Sequence, residues 1–208
     1  IYYLRGIPFC ISETTRTHIM NKMKSIVNAQ SDENVIIDYL NKDGPTNLNL
    51  IESVIVSGKM DLLRKICVEC SLVYECKHVA ATLGNLEAYK IAHTYEADFP
   101  VEVFASVIRG NHEHIFDFLA EQGVLQVGFS PKHQKYLTSV AVGCASVHIL
   151  STMVNAGFIV KDTLSHLFRY SGSKRGSEEI HQYLHDNGFK GDWVCDEKCH
   201  FCNKISTY

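Results

Sequence analysis

The sequence predicts an all-α solenoid of stacked helix–turn–helix pairs closed by a Cys-rich C-terminal cap. Three observations carry that expectation. Apolar residues recur at three- and four-residue spacing, which gathers them on one stripe of a helix. Glycines punctuate the helical stretches at near-regular intervals. A short first helical stretch precedes each glycine and a second follows it, so a unit of helix, tight turn, helix and loop returns every 26 to 34 residues. A pair this short cannot bury its apolar stripe alone, whereas stacked pairs share one continuous core.

Residues 1–31 form an N-terminal segment. It opens IYYLRGIPFCI, and Arg5 and Pro8 interrupt this apolar run before it reaches the length of a signal-peptide core. The segment begins at Ile1 without a methionine and is expected to continue upstream.

The repeats occupy residues 32–190. DENVIIDYLNKDG (32–44) reads as a weak copy of a second helix. First helices are expected at NLIESVIVS (49–57), CKHVAATL (76–83), VEVFASVIR (101–109), KYLTSVAVG (135–143) and TLSHLFRYS (163–171). Second helices follow in SGKMDLLRKI (57–66), LGNLEAYKIA (83–92), RGNHEHIFDFLAEQG (109–123), GCASVHILSTMVNAG (143–157) and GSEEIHQYLHDNG (176–188). The turn glycines Gly58, Gly84, Gly110, Gly143 and Gly176 are spaced by 26, 26, 33 and 33 residues. Gly123, Gly157 and Gly188 close three second helices, where a left-handed residue is favoured and glycine carries no Cβ penalty.

The second-helix phrase in GKMDLLRKI, GNLEAYKIA and GSEEIHQYLHDNG is a glycine, a small polar residue, an apolar one, an acidic one and then a hydrophobic helix. It resembles the ankyrin repeat. Departures are plain: no copy has a Thr-Pro-Leu-His opening, with His78 the nearest echo, and the copies around Asn111 and Ala145 match if the turn shifts by one position. Another α-solenoid or a helical-hairpin bundle is the alternative. Divergent copies in an Ile-, Asn-, Lys- and Tyr-rich chain are similar in style to ankyrin-like proteins of large DNA viruses. The resemblance implies protein–protein recognition through inter-repeat loops and first helices, with a host protein as the partner in a viral setting. Carried onto this sequence, it points to Lys59, Asn85, Asn111, His112, Glu113 and His114 as partner-binding positions.

The tail, residues 191–208, holds CDEKCHFC. Cys195, Cys199, His200 and Cys202 are ligands of the kind a structural zinc site uses. Adjacent Cys199 and His200 cannot easily reach one ion together. His181 and His185, four apart on one helix face, extend the donor set. A zinc site there would cap the last repeat; packed cysteines without metal are the alternative. Cys195-x3-Cys199-x2-Cys202 also has the spacing of the radical S-adenosylmethionine cluster motif. That motif opens a long barrel, and here NKISTY follows it.

Composition narrows the function. The chain has 208 residues, 21% of them charged, and a formal charge of −3 with both signs interleaved, which argues against a nucleic-acid or anionic-membrane footprint. No apolar run approaches the roughly 18 residues of a membrane span. Eight cysteines scattered irregularly fit a reducing, cytoplasmic setting. Cys10, Cys67, Cys70, Cys76 and Cys144 are expected in the core, and Cys67-x-x-Cys70 has no βαβ context for a redox motif. Phosphate-loop, nucleophile-elbow and HExxH patterns are absent from the sequence. His112 and His114, two apart, are expected to point away from each other at a turn. The expected function is therefore non-enzymatic binding of a protein partner. Its rivals are an assembly role in a larger complex or virion, and a zinc-stabilised adaptor attached to a further upstream domain.

Overall fold

The computed structural model describes residues 33–41, 47–126, 129–144, 147–159 and, further on, 179, 180, 183, 186 and 187. Among them it is helical and without strands. The helices are α1 (Glu33–Leu40), α2 (Asn47–Val56), α3 (Met60–Glu69), α4 (Val73–Leu83), α5 (Leu86–Tyr95), α6 (Val101–Arg109), α7 (Glu113–Glu121), α8 (Pro131–Cys144) and α9 (Val147–Asn155). None is long and apolar enough to cross a membrane. The expected helices at 163–171 and 176–188 and the tail lie outside the described residues, apart from single positions in the latter helix.

The chain divides into two compact units, Ile1–Asp98 and Phe99–Tyr208. In the first unit α2 pairs with α3 and α4 with α5; in the second α6 pairs with α7 and α8 with α9. Like helices then stack on like. First helix α4 lies on first helix α2, and second helices α3 and α5 lie together with α1 against α3. The second unit repeats the arrangement, α6 on α8 and α7 on α9.

One backbone device ends α2, α4, α6, α7 and α9. A left-handed residue follows the helix, at Gly58 (φ 70°), Gly84 (φ 70°), Asn111 (φ 53°), Gly123 (φ 77°) and Gly157 (φ 69°). The next residue then donates its N–H five positions back: Lys59 to Val54, Asn85 to Ala80, His112 to Val107, Val124 to Leu119 and Phe158 to Met153, at 3.0 to 3.2 Å. This 6→1 bond satisfies a carbonyl that the helix end would otherwise orphan. Two of the expected turn glycines do not serve in it. Gly110 has φ −78°, and the left-handed role passes to Asn111, one of the non-glycine types that tolerates it. Gly143 sits inside α8. Gly176 and Gly188 lie outside the described residues, as do Ala145 and Ser146.

Gly84→Ala is therefore expected to lower stability by about 1–2 kcal/mol, because a Cβ is disfavoured at positive φ. Asn111→Gly is expected to change it by less than about 0.5 kcal/mol. Urea denaturation of both variants checks the pair.

Counted from the left-handed residue, the core positions of successive pairs coincide. Leu50, Cys76 and Val103 align, as do Ile51, Lys77 and Phe104 in the first helices; Leu63, Tyr89 and Phe116, and Ile66, Ala92 and Leu119, align in the second. All are buried. Each large apolar side chain so placed contributes about 1.5–3 kcal/mol. Ser53 and Ser106 also align, and each hydroxyl donates to the carbonyl four residues back, Asn49 at 2.9 Å and Glu102 at 3.0 Å. Helix α8 starts from Ser130, whose Oγ accepts from the His133 N–H at 3.3 Å, with Pro131 at the first helical position.

The connector between α3 and α4 is Cys70, Ser71 and Leu72, with Ser71 at φ 53°. Three residues leave no room for a β-hairpin between pairs.

Candidate functional site

Within each unit, the outer positions of the first helices and the turns that follow them carry exposed side chains. In the first unit Leu48 and Val56 on α2 and Tyr74 on α4 stand out as exposed apolar side chains. Leu48 and Tyr74 occupy the same repeat position. The Tyr74 ring stacks on His78 one turn later, 6.2 Å between centroids. In the second unit the corresponding helices carry polar groups. Arg109 on α6 donates to the Tyr136 hydroxyl on α8 and lies over its ring, 5.9 Å from the centroid. The same hydroxyl donates to Glu102 Oε2 at 3.3 Å.

The six sequence-predicted partner positions lie at the turns. Lys59 is the half-buried cap residue of α3. Asn85 caps α5: its Oδ1 accepts from the Ala88 N–H at 2.9 Å, so the helix end uses this side chain. Asn111 is exposed, His112 caps α7 without a side-chain cap bond, and Glu113 and His114 begin that helix. His112 and His114 do not point apart as their spacing suggested. Their rings meet edge to face with centroids 6.2 Å apart, because His112 stands outside the helix where the 100° step does not apply. The His112 ring also covers Gly110, where a Cβ would lie 2.2 Å from Nε2.

Ion pairs stitch second helix to second helix. Lys65 donates to Glu33 at 2.5 Å, from α3 to α1. His148 on α9 pairs with Asp117 on α7 at 2.7 Å. The Asp117 hydrogen bond raises the His148 pKa above the ordinary histidine value, burial opposes it, and the charges of Asp117 and Glu113 add to the rise. A raised folded-state pKa means the pair stabilises fully below the unfolded value of about 6.5, and that stability is lost as pH rises through the folded value. Both side chains are 46% exposed, which limits the contribution to about 1 kcal/mol or less. An NMR titration is expected to show His148 titrating above free histidine, and Asp117→Asn to bring it back down.

Sequence reasoning missed a polar cluster inside the first unit. Lys77, at the position held by Ile51 and Phe104, is wholly buried. Its Nζ donates to the backbone carbonyls of Glu96 and of Asp98, the latter at 2.8 Å. Burial lowers its pKa, opposed by Glu96 and Asp98. Near it lie Cys67, Cys76 and His93, whose pKa burial and then the Lys77 charge lower. Cys67 and Cys76 are both free and buried, while Cys70, which the spacing set beside Cys67, is half-buried. Alignment of repeats on their left-handed residues would have found this cluster, since it exposes a lysine at an apolar position.

The metal candidates Cys195, Cys199, Cys202, His200, His181 and His185 lie outside the described residues. Among the described ones, no group of three or more His, Cys, Asp or Glu side chains could hold a metal ion. Compared with known proteins, the chain matches no family model, no curated protein and no solved structure.

Proposed function

We propose that the chain is a non-enzymatic protein-recognition module of ankyrin-like type, its helix pairs repeating through both units as a solenoid. The observation that carries the reading is the like-on-like stacking of pairs, with one left-handed turn after each of the first helices α2, α4 and α6, which leaves the outer positions of first helices and turns for contact. Apolar Leu48 and Tyr74 offer area to a partner in one unit; Arg109, Asn111 and His114 offer donors in the other. Aromatic and arginine side chains set in such a face are common anchors of binding energy. Relative to the ankyrin repeat of about 33 residues with its turn and two helices, the first pairs here keep the helices and drop the extended connector. Contact through first helices and turns is accordingly favoured over contact through long loops. A host protein is the partner class in the viral setting the sequence style suggests.

The test is affinity capture from cell extract with wild type, a Leu48→Asp/Tyr74→Asp variant and a His112→Ala/His114→Ala variant, each with unchanged circular dichroism. A specific protein held by wild type and lost from one variant supports the reading. Capture identical in all three, or none above background, refutes it. A stoichiometric complex copurifying with wild type would favour the assembly role instead.

For the tail we propose structural zinc, on its donor chemistry alone. Elemental analysis of EDTA-washed protein is expected to give about one zinc per chain, lost in Cys199→Ser/Cys202→Ser.

A further inference from the structure

We propose that the α6–α8 face of the second unit is a docking site for an acidic peptide segment of the partner, its carboxylates held by Arg109, Lys132 and Lys135. The inference rests on the partner-recognition reading and adds the chemistry of the bound segment. Both signs of charge alternate along most of the chain, which holds 23 Asp and Glu residues, yet none falls between Glu121 and Asp162. Helix α8 lies in that stretch and carries Lys132 and Lys135, both exposed. They are three positions apart and Tyr136 stands one turn after Lys132, so the three share one side of the helix. First helix α6 packs on α8 and brings the exposed Arg109 over the Tyr136 ring, 5.9 Å from its centroid.

The cations of this face are not neutralised from within. Among the described residues the ion pairs are Arg64 with Asp61, Lys65 with Glu33 and His148 with Asp117, and none of them holds Arg109, Lys132 or Lys135. Glu102 approaches the cluster from α6, but its Oε2 accepts from the Tyr136 hydroxyl at 3.3 Å. Arg109 in turn donates to that hydroxyl. A guanidinium has several N–H donors, so one bond to Tyr136 orients it and leaves others for a carboxylate. A side chain already held in this way loses less freedom when the partner binds. An extended Asp- and Glu-rich segment is the complementary occupant, because it brings carboxylates to each cation. An apolar helix laid on the same face would bury those charges unpaired, which is costly. A nucleic acid is disfavoured by the formal charge of −3. Charges at the edge of an interface act mainly on association rate, so the binding is expected to weaken as salt rises.

The experiment titrates the full chain into a fluorescently labelled oligoglutamate peptide, read by anisotropy at low and at high salt. An oligolysine peptide and a single-stranded oligonucleotide are run beside it. Wild type is expected to bind oligoglutamate at low salt, to release it at high salt and to ignore oligolysine. Lys132→Glu/Lys135→Glu is expected to weaken binding by about tenfold and Arg109→Gln by about fivefold, while Lys90→Glu on α5 leaves it unchanged. All four substitutions fall on exposed side chains, and circular dichroism checks that the helices are kept. No oligoglutamate binding, or binding that both variants leave intact, overturns the proposal, while affinity capture still decides partner recognition on its own. Equal binding of the oligonucleotide, lost in the same variants, overturns it in favour of a nucleic-acid ligand. Self-association of wild type at low salt, abolished by Lys132→Glu/Lys135→Glu, overturns it in favour of a second copy of the chain.

Discussion

Lys77→Ala is expected to cost about 2.4 kcal/mol of stability, the worth of the three methylenes it removes at about 0.8 kcal/mol each. The stem fills a position that Ile51 and Phe104 fill elsewhere, and the ammonium meets the carbonyls of Glu96 and Asp98. Lys77→Met keeps most of the volume and removes the desolvated charge, so its loss is expected to be no more than about 1 kcal/mol. The pair separates packing from charge. A pH series adds a sign. Because burial lowers the folded pKa of Lys77, the unfolded chain binds more protons between that value and the ordinary one near 10.5. Wild type should therefore gain on Lys77→Met as pH rises through that window, read by guanidinium denaturation at several pH values. Equal loss in both variants, or a gap that moves the other way, would show that the ammonium is not held as described.

Phe104→Ala is expected to cost about 3–5 kcal/mol in the second unit. Phe104 is 2% exposed, and its ring lies 5.5 Å from Phe116 and 5.7 Å from Phe129, which in turn meets Phe158 at 5.6 Å. Removing it takes one ring out of a chain of four, and aromatic contacts add about 0.5–1.5 kcal/mol beyond burial. Hydrogen exchange should accelerate across α6 to α9, with guanidinium denaturation reporting the loss. Phe116→Leu, which keeps an apolar side chain of closer volume, is expected to cost less.

Helix positions were legible because apolar spacing is a local signal. The stretch expected at 101–109 is α6 residue for residue, and those at 57–66 and 83–92 begin three residues before α3 and α5. The turns were partly legible. Gly123 and Gly157 sit where a left-handed residue was expected; of the glycines expected at turns, Gly58 and Gly84 take that geometry and Gly110 and Gly143 do not, since glycine permits it without requiring it. The interior cluster was hidden for a different reason. Lysine reads as surface by type, and its acceptors are main-chain carbonyls 19 and 21 residues away that carry no mark in the sequence. For the surface, Lys59, Asn85, Asn111 and His112 lie at turns and Glu113 and His114 begin α7, while the first-helix residues Leu48, Tyr74 and Tyr136 emerge from the stacking of helices.

The bond from Lys77 to the connector has a consequence for how this chain can change over generations. A carbonyl is the same acceptor whatever side chain its residue carries, so the contact places no demand on the identity of residues 96 and 98. The Glu96 and Asp98 charges also favour the ammonium, so those positions are free to drift chiefly among acidic residues, while the stricter constraint falls on position 77. Substitution records at the two ends of one interaction should therefore look unequal: a near-fixed lysine within α4, and a stretch after α5 that varies while tending to stay acidic.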